Sequence, residues 1–259
     1  MSVPFDDRGL LLGDGLFETV LADRGELVLF EAHVARMARG CGRLGLPAPD
    51  AAALREAAEA ALGSAGLEAG RAAVRLTWTA GSGGRGLDRP ATLKPRPIAT
   101  VAPSPKPATP VSVAIATTRR NEASPASRLK TLSYLDNIFA RIEAREAGAD
   151  EALMLNTRGE LACAGAANLF WIEGEALFTP ALDCGVLDGV IRGVVMERAR
   201  GMGATVVEAH EPPERLAQAQ ALFLTNSLIG MRFVDRLAER AFQPHPLVER
   251  LAAACADVC

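Results

Sequence analysis

Apolar and polar residues follow two different periods along the chain, and each period predicts a type of element. Between Phe30 and Leu46 the apolar positions recur at spacings of three and four, which is typical of a helix with one buried face: Val34, Met37, Cys41 and Leu44. Between Arg71 and Thr79 apolar and polar residues alternate, which indicates a strand with one buried face: Val74, Leu76 and Trp78. The N-terminal part of the chain is therefore predicted to contain both helices and strands.

The same rules predict further elements. Asp50 is expected to cap an alanine-rich helix that ends near Gly63. A helix from about Thr131 to Ala147 has the apolar set Leu132, Leu135, Ile138, Phe139 and Ile142. The other predicted elements are strands over residues 98–102, 111–117, 151–156, 161–172, 205–209 and 221–225, helices over residues 189–200 and 213–218, and a C-terminal helix. This mixture predicts an α/β (α+β) fold.

A proline-rich segment divides the chain into two parts. The run P-S-P-K-P-A-T-P, residues 103–110, is typical of a stiff and extended linker. We therefore predict a small N-terminal α/β domain over residues 1–103, a linker over 104–110 and a C-terminal α/β domain over 111–259. A length of 259 residues by itself allows one large domain or two of ordinary size, and the linker favours two.

Composition and charge narrow the class of ligand. A hydrophobic content of 49% and a charged content of 23% are typical of a globular protein. The net charge of −3 and the scattered arginines argue against a partner that is a nucleic acid or a membrane surface. No segment is apolar and long enough to span a bilayer, and the N-terminus lacks the features of a secretory signal. We expect a cytoplasmic protein that binds a small molecule.

The cysteines give no sign of a disulfide framework or of a metal site. They are five in number and none forms a C-x-x-C pair: Cys41, Cys163, Cys184, Cys255 and Cys259. An odd number without paired spacing favours free thiols in a reducing compartment. The sequence therefore predicts no bound metal.

Several motifs are candidates for binding phosphate, although each also has an ordinary structural explanation. The segment G81-S-G-G-R-G86 fits the dinucleotide-binding pattern, but the prolines that follow prevent the required helix, which argues against a nicotinamide cofactor. The helix start at D188-G-V-I-R192 offers free backbone amides, and T225-N-S-L-I-G230 ends a strand in small polar residues. Arg36 lies one position off the apolar stripe of its helix, where it can reach an anion.

Lysine is rare in this chain, and one lysine stands out. Only three of the 28 basic residues are lysines, and both Lys94 and Lys106 lie next to prolines. Lys130 lies in the folded-looking segment S127-R-L-K-T-L-S-Y-L-D-N137 near the single tyrosine, Tyr134. A partly buried lysine loses its proton more easily, and its neutral amine attacks aldehydes. An aldehyde that also carries a phosphate is most commonly pyridoxal 5'-phosphate (PLP).

Motifs along almost the whole chain resemble those of the class IV, fold type IV PLP enzymes. This family includes aminotransferases for branched-chain and D-amino acids and 4-amino-4-deoxychorismate lyase. The motifs are F30-x-x-H33-x-x-R36, L-K130-T-L-S-Y-L-D-N, A-A-N168-L-F-W, T179-P-A-L-D-C-G-V-L-D-G189-V-I-R192 and T225-N-S-L. The resemblance implies two α/β domains with PLP in the cleft between them, and a homodimer.

The resemblance also assigns roles to particular residues. Lys130 matches the lysine that forms the Schiff base, and Arg36 matches the arginine that holds the phosphate. Tyr134 lies near the position of a tyrosine that contacts the phenolic oxygen of PLP, with a spacing one residue shorter. The other implied phosphate contacts are the backbone amides of Val190 and Ile191 and the turn at Asn226 and Ser227.

Cys163 departs from the family pattern. The family has a glutamate five residues before the asparagine at Asn168, where it pairs with the pyridine nitrogen of PLP, and this chain has Cys163 instead. A neutral thiol stabilises a protonated pyridine less than a carboxylate does, so the cofactor should be a weaker electron sink. Glu160 is near in sequence but is predicted to face the other way. This departure favours elimination mildly over transamination.

Three functions stay open at this stage. The segments G81-S-G-G-R-G-L, A-A-N-L-F-W and T-N-S-L-I-G are most similar to the lyase branch, which implies release of pyruvate and formation of p-aminobenzoate. An aminotransferase for D- or branched-chain amino acids is the first alternative, and a PLP-binding protein without turnover is the second. The lyase substrate has two carboxylates, for which Arg85, Arg119 and Arg120 are candidate partners.

Overall fold

A computed structural model describes residues 3–107 and 110–258. Within these residues the chain forms two compact units. The first comprises Met1–Pro105 together with Leu129–Ser133, and the second comprises Lys106–Arg128 and Tyr134–Cys259. Residues 108 and 109 of the predicted linker, and Cys259, lie outside the described residues.

The first unit contains a four-stranded antiparallel sheet in the order β2-β1-β3-β4. Its strands are β1 Gly15–Asp23, β2 Glu26–Leu27, β3 Arg71–Thr79 and β4 Arg96–Pro103, and its helices are α1 Arg8–Leu12, α2 Phe30–Leu44 and α3 Ala51–Ala65. The apolar faces of α2, α3 and β3 meet in one core, in which Val74 and Leu76 are fully buried. The side chain of Asp50 accepts a hydrogen bond of 2.9 Å from the amide of Ala52, which confirms the predicted helix cap.

Strand β1 was not apparent from the periodicity of the sequence. It lies between β2 and β3 in the sheet, and seven of its nine residues are buried. A strand buried on both faces lacks the alternation of apolar and polar residues that marks a half-exposed strand.

The second unit contains a nine-stranded mixed sheet in the order β10-β9-β8-β11-β12-β5-β6-β7, with β13 paired to β12. Its strands are β5 Val111–Ile115, β6 Glu151–Leu155, β7 Leu161–Ala164, β8 Asn168–Glu173, β9 Ala176–Pro180, β10 Thr205–Ala209, β11 Ala221–Asn226, β12 Gly230–Leu237 and β13 Arg240–Ala241. Its α-helices are α4 Leu135–Glu146, α5 Val190–Gly201 and α6 Pro246–Ala254. The segments Pro125–Arg128, Leu182–Cys184 and Pro213–Gln218 are 3-10 helices.

The prediction of one strand over residues 161–172 was wrong, because β7 and β8 are separate. The amide of Ala164 donates to the carbonyl of Ala167 at 2.9 Å, so the chain turns between the two strands. At this turn a Cβ atom on residue 165 would lie 2.7 Å from Oε1 of Glu151, so glycine allows the turn to pack closely against that side chain.

The predicted helix over residues 131–147 begins later than expected. The segment 129–133 runs beside β1 instead, with hydrogen bonds from the Phe17 amide to the Lys130 carbonyl (2.9 Å) and from the Leu132 amide to the Gly15 carbonyl (3.1 Å). Lys130 is therefore not at a helix entrance. Its segment belongs to the first unit, whereas the sequence had placed it in the domain over residues 111–259.

The predicted apolar set of this helix does not lie in a core. On α4, four large apolar side chains are exposed, with exposed fractions from 46% to 66%: Leu135, Ile138, Phe139 and Ile142. The buried side of α4 has Asn137, Ala140 and Ala144 instead. Among the described residues, no helix combines the length and the apolar character that a bilayer crossing requires.

Candidate active site

Lys130 lies against an aromatic ring in the first unit. Its Nζ is 4.1 Å from the centroid of the Phe17 ring, and its side chain is partly buried. Burial lowers the pKa of Lys130 to about 8. The positive charges of Arg36 and Arg75 also lower this pKa, whereas the negative carboxylate of Glu18 raises it. A substantial fraction of this lysine is therefore a neutral amine near pH 8.

Glu18 on β1 organises the basic residues of the same unit. Nε of Arg36 donates to one carboxylate oxygen at 2.8 Å, and Nη2 donates to the other at 2.5 Å. Nδ1 of His33 lies 2.8 Å from the second oxygen, so one buried carboxylate binds two residues one turn apart on α2. Burial raises the pKa of Glu18, but Arg36 and His33 outweigh it and bring that pKa down to about 2. This carboxylate stays ionised and fixes the plane of the Arg36 guanidinium.

The role of Glu18 was missed by the sequence analysis, although a signal for it exists. It is an acidic residue inside the apolar run L16-F-E-T-V-L-A22. A charged residue within a buried strand requires a partner, because an unpaired buried charge is very costly. An acidic residue inside an apolar run therefore predicts a basic partner on a neighbouring element.

A second set of candidate residues lies at the start of α5, in the second unit. The cap residue Gly189 offers no side chain to the first amides of the helix, which belong to Val190 and Ile191. A Cβ atom at residue 189 would lie 2.0 Å from Oδ1 of Asn168, so only glycine fits. Nδ2 of Asn168 donates to the Leu187 carbonyl at 2.9 Å and holds this turn against β8.

Strand β11 ends beside Asn168. Thr225 is the cross-strand partner of Asn168, and its buried Oγ1 has no hydrogen-bond partner among the described residues. The side-chain oxygen of Asn226 accepts from the amides of Leu228 and Ile229, each at 2.9 Å, and forms the turn that contains Ser227. A buried hydroxyl without a partner and the uncapped amides of α5 form a set of donors suited to a phosphate group.

The predicted site residues therefore fall into two sets. Lys130 and Arg36 belong to the first unit. The others belong to the second unit: Tyr134, Cys163, Val190, Ile191, Asn226 and Ser227. Tyr134 is partly buried and immediately precedes α4.

Cys163 lies in β7 opposite Met154 of β6 and is buried. Burial raises the pKa of its thiol, and the nearby Glu151 adds to this effect while Arg120 opposes it. The thiol is consequently neutral at ordinary pH. Glu160 lies before β7, where its carboxylate accepts hydrogen bonds from Arg158.

The three arginines considered for substrate carboxylates differ in exposure. Arg85 and Arg119 are exposed, whereas Arg120 is buried. The guanidinium of Arg120 donates to Oδ1 of Asn137 at 3.0 Å, to the Gly185 carbonyl at 3.3 Å and to the Ser127 carbonyl. Arg120 therefore ties segments of the second unit together.

The glycine-rich segment 81–86 and the two residues after it direct carbonyl oxygens at a cation, the guanidinium of Arg8. The guanidinium of Arg8 donates to the carbonyls of Gly86 (3.2 Å), Leu87 (3.1 Å) and Asp88 (3.1 Å). A loop that binds phosphate directs its amides inward, whereas these residues direct carbonyl oxygens inward. No helix follows this segment before β4.

The sequence profile of the amino-transferase class IV family matches residues 15–237. The chain is 31% identical to the aminodeoxychorismate lyase of Bacillus subtilis (strain 168), over 87% of this chain and 78% of that protein. It is 30% identical to a putative branched-chain-amino-acid aminotransferase of Methanocaldococcus jannaschii, over 85% of this chain and 77% of that protein.

A likeness to solved structures points the same way. The crystal structure of 4-amino-4-deoxychorismate lyase from Pseudomonas aeruginosa superposes with a TM-score of 0.89 and 34% sequence identity. The match covers 99% of this chain and 95% of that one.

Proposed function

Because the chain belongs to the amino-transferase class IV family, we propose that it is a PLP-dependent 4-amino-4-deoxychorismate lyase, which releases pyruvate and forms p-aminobenzoate. The observation that carries the proposal is Lys130, a partly buried lysine with a pKa of about 8 in a motif that resembles the family's lysine motif. The choice of reaction rests on the two lyases, whose similarity extends over 87% and 99% of the chain.

Each unit by itself contains groups that suit PLP. In the first unit Lys130 provides an amine for the aldehyde, and Arg36, oriented by Glu18, provides a guanidinium for a phosphate. In the second unit the amides of Val190 and Ile191 and the residues Thr225 to Ser227 provide donors that also suit a phosphate. When bound, PLP supplies the electron sink that makes the α-proton of an amino compound acidic.

Lys130 moves the proton in this proposal. Its neutral amine takes the proton from the α-carbon of the substrate, and the resulting ammonium returns a proton to the methylene carbon of the departing enolpyruvate. The Phe17 ring covers one side of the amine at 4.1 Å and limits its contact with water. A pKa of about 8 suits both steps, because it lies close to an ordinary working pH.

Cys163 favours the lyase reaction in our proposal. A thiol whose pKa is raised by burial carries no negative charge for the pyridine nitrogen. Transamination depends strongly on a protonated pyridine, whereas the elimination gains its driving force from aromatisation of the ring. A neutral group in this position therefore costs the lyase less than it costs an aminotransferase.

An assay with aminodeoxychorismate tests the proposed function. Wild-type protein with PLP should form p-aminobenzoate and pyruvate in equal amounts, and Lys130→Ala should lower the rate by at least about a hundredfold. Lys94→Ala is the matched control, because Lys94 lies outside both sets of candidate residues. Amino transfer to a keto acid without any p-aminobenzoate would refute the lyase proposal.

The second candidate function is a class IV aminotransferase acting on D- or branched-chain amino acids. It is supported by the relative from Methanocaldococcus jannaschii, at 30% identity. Borohydride reduction separates either PLP enzyme from a protein that does not use PLP, because it should attach the cofactor to Lys130 irreversibly. A colourless protein that takes up no added PLP would contradict both candidates.

We also propose that the protein is a homodimer that uses the exposed face of α4. Leu135, Ile138, Phe139 and Ile142 follow a spacing of three and four and form one apolar stripe. Large apolar side chains in such a stripe mark a protein interface more often than a free surface. A second copy presents the same stripe, so a two-fold axis lets the stripes cover each other.

A further inference from the structure

Three side chains with metal-binding atoms meet in the second unit, apart from the residues proposed to hold PLP. Glu160 precedes β7, Cys184 ends the 3-10 turn Leu182–Cys184, and His210 follows β10. Sγ of Cys184 lies 3.4 Å from Nδ1 of His210 and 3.6 Å from Oε2 of Glu160. Nδ1 of His210 lies 3.8 Å from the same glutamate oxygen.

These separations match the edges of a tetrahedral metal site. Zinc binds sulfur at about 2.3 Å and nitrogen or oxygen at about 2.0 Å, so tetrahedral geometry places two ligand atoms about 3.3–3.5 Å apart. The distance between Cys184 and His210 lies within this range. The two distances to Glu160 exceed it by a few tenths of an ångström. Hydrogen bonds or an ion pair can account for each of these contacts taken singly. The feature that points to a metal is that the three ligand atoms all lie within 4.8 Å of one another.

The surroundings orient the ligand atoms. Nε2 of His210 lies 3.1 Å from Oδ1 of Asp183, an arrangement in which the imidazole donates to the carboxylate and keeps the lone pair of Nδ1 directed at Cys184. Oε2 of Glu160 accepts hydrogen bonds from Nδ2 of Asn156 at 2.7 Å and from Nε and Nη2 of Arg158 at 2.9 and 2.7 Å, so Arg158 has to turn away before this oxygen binds a metal.

The local charges suit a divalent cation. With Cys184 as a thiolate, the negative groups are Cys184, Glu160 and Asp183, and the positive group is the guanidinium of Arg158, which lies 2.7 Å from Glu160. These four groups have a net charge of −2, which a divalent ion neutralises. Arg158 also faces the carboxylate of Glu122 at 3.6 Å, so that carboxylate holds part of its charge. Arg158 is half exposed and can turn toward solvent if it competes with the ion.

We propose that Glu160, Cys184 and His210 bind a divalent transition metal of the zinc class, with the fourth position open to water. The Cys184 S–H bond breaks on binding, the proton passes to solvent, and the sulfur–metal bond forms without any oxidation or reduction. His210 is at the surface, so the metal and the water reach the site from that side. The metal links three segments that lie 24 and 26 residues apart, and this spacing explains why no metal motif is visible in the sequence.

Equilibrium dialysis of the PLP-loaded full chain against zinc sulfate tests the proposal. The wild type should bind one zinc ion per chain, and cobalt chloride should produce a thiolate-to-cobalt charge-transfer band. Cys184→Ser and His210→Gln should each lose the bound ion. Cys41→Ser is the control, because Cys41 is a buried free cysteine of the first unit, and this variant should bind zinc as the wild type does.

Asp183→Asn distinguishes a metal site from a hydrogen-bonded cluster. Asp183 is exposed, so its substitution should leave the fold intact while zinc affinity falls about 10–100-fold. If Cys184→Ser does not fold, His210→Gln and Asp183→Asn still decide the question. The proposal is wrong if the wild type binds no stoichiometric zinc, if the cobalt spectrum lacks the thiolate band, or if neither His210→Gln nor Asp183→Asn weakens binding.

Discussion

At the scale of single residues, the chemistry of Lys130 depends on its neighbours. Only the neutral amine attacks an aldehyde. The rate of PLP uptake by the apoprotein should therefore rise about tenfold for each unit by which the pH increases toward 8, and it should level off above pH 8. An ordinary lysine would continue to gain reactivity until its pKa near 10.5. Stopped-flow absorbance of PLP binding at a series of pH values measures the midpoint.

A substitution at Arg75 tests the same prediction in a second way. Its guanidinium lies over the Phe17 ring, with Cζ 3.6 Å from the centroid, and its positive charge lowers the pKa of Lys130. Arg75→Met should therefore move the midpoint to a higher pH. A midpoint near 10 in the wild type, or an unchanged midpoint in the variant, would contradict our account of the lysine's surroundings.

Cys163 allows a second prediction at the residue scale. Cys163→Glu should raise the ratio of transaminase to lyase activity, because a carboxylate strengthens the electron sink of PLP. The nearby Arg120 helps to keep the new carboxylate ionised. Both activities are measured on the same preparation, after circular dichroism has shown that the variant is folded. Cys163→Ser is the neutral control, and an equal ratio in the two variants would show that a negative charge at residue 163 does not direct the reaction.

Composition and motifs are sufficient to identify Lys130, since the other two lysines lie beside prolines. The same signals do not reveal Glu18. Its importance comes from its contacts with His33 and Arg36, which lie on another element. Periodicity also placed Lys130 at a helix entrance, whereas the tertiary structure aligns it with β1.

At the scale of elements, the start of α5 depends on a close backbone approach. Gly189→Ala should weaken PLP affinity at least about tenfold, because a Cβ 2.0 Å from the Asn168 side chain displaces the turn that directs the helix amides. Gly193→Ala in the same helix is the matched control. Its Cβ would meet no atom within 4 Å, so this variant should bind PLP normally and gain about 0.5–1 kcal/mol of stability.

Fluorescence titration with PLP and urea unfolding separate these two effects. Equal PLP affinity in wild type and Gly189→Ala would show that the α5 turn does not hold the cofactor. A loss of stability in Gly193→Ala would contradict the open space around that residue.

Elements with a strong local signal were predicted well. The cap at Asp50, the strand over Arg71–Thr79 and the strand over Thr205–Ala209 are confirmed. The first has a capping side chain, and the second has alternating apolar and polar residues. Strand β1 lacked such a signal, and residues 161–172 were taken for one strand because both β7 and β8 are buried and largely apolar.

At the scale of the whole molecule, the proposed homodimer gives a test of the α4 stripe. Ile138→Asp combined with Phe139→Asp should convert a dimer into a monomer, because two buried charges without partners cost several kcal/mol. Light scattering after size exclusion measures the mass. Leu87→Asp is the control, since Leu87 is also exposed but lies in the first unit. A wild-type monomer, or a double variant that remains dimeric, would show that α4 is not the interface.

By itself, the sequence determined the family and most of the elements, and it singled out Lys130 as the candidate lysine, because these depend on local spacing and on residue types. Only the tertiary structure decided which distant residues meet: Glu18 with Arg36, Asn168 with Gly189, and Glu160 with Cys184 and His210. It also decided that the apolar stripe of α4 faces outward. The physical reason is that such contacts depend on strand order and on the path of the chain between elements, and no local pattern of residues records either of them.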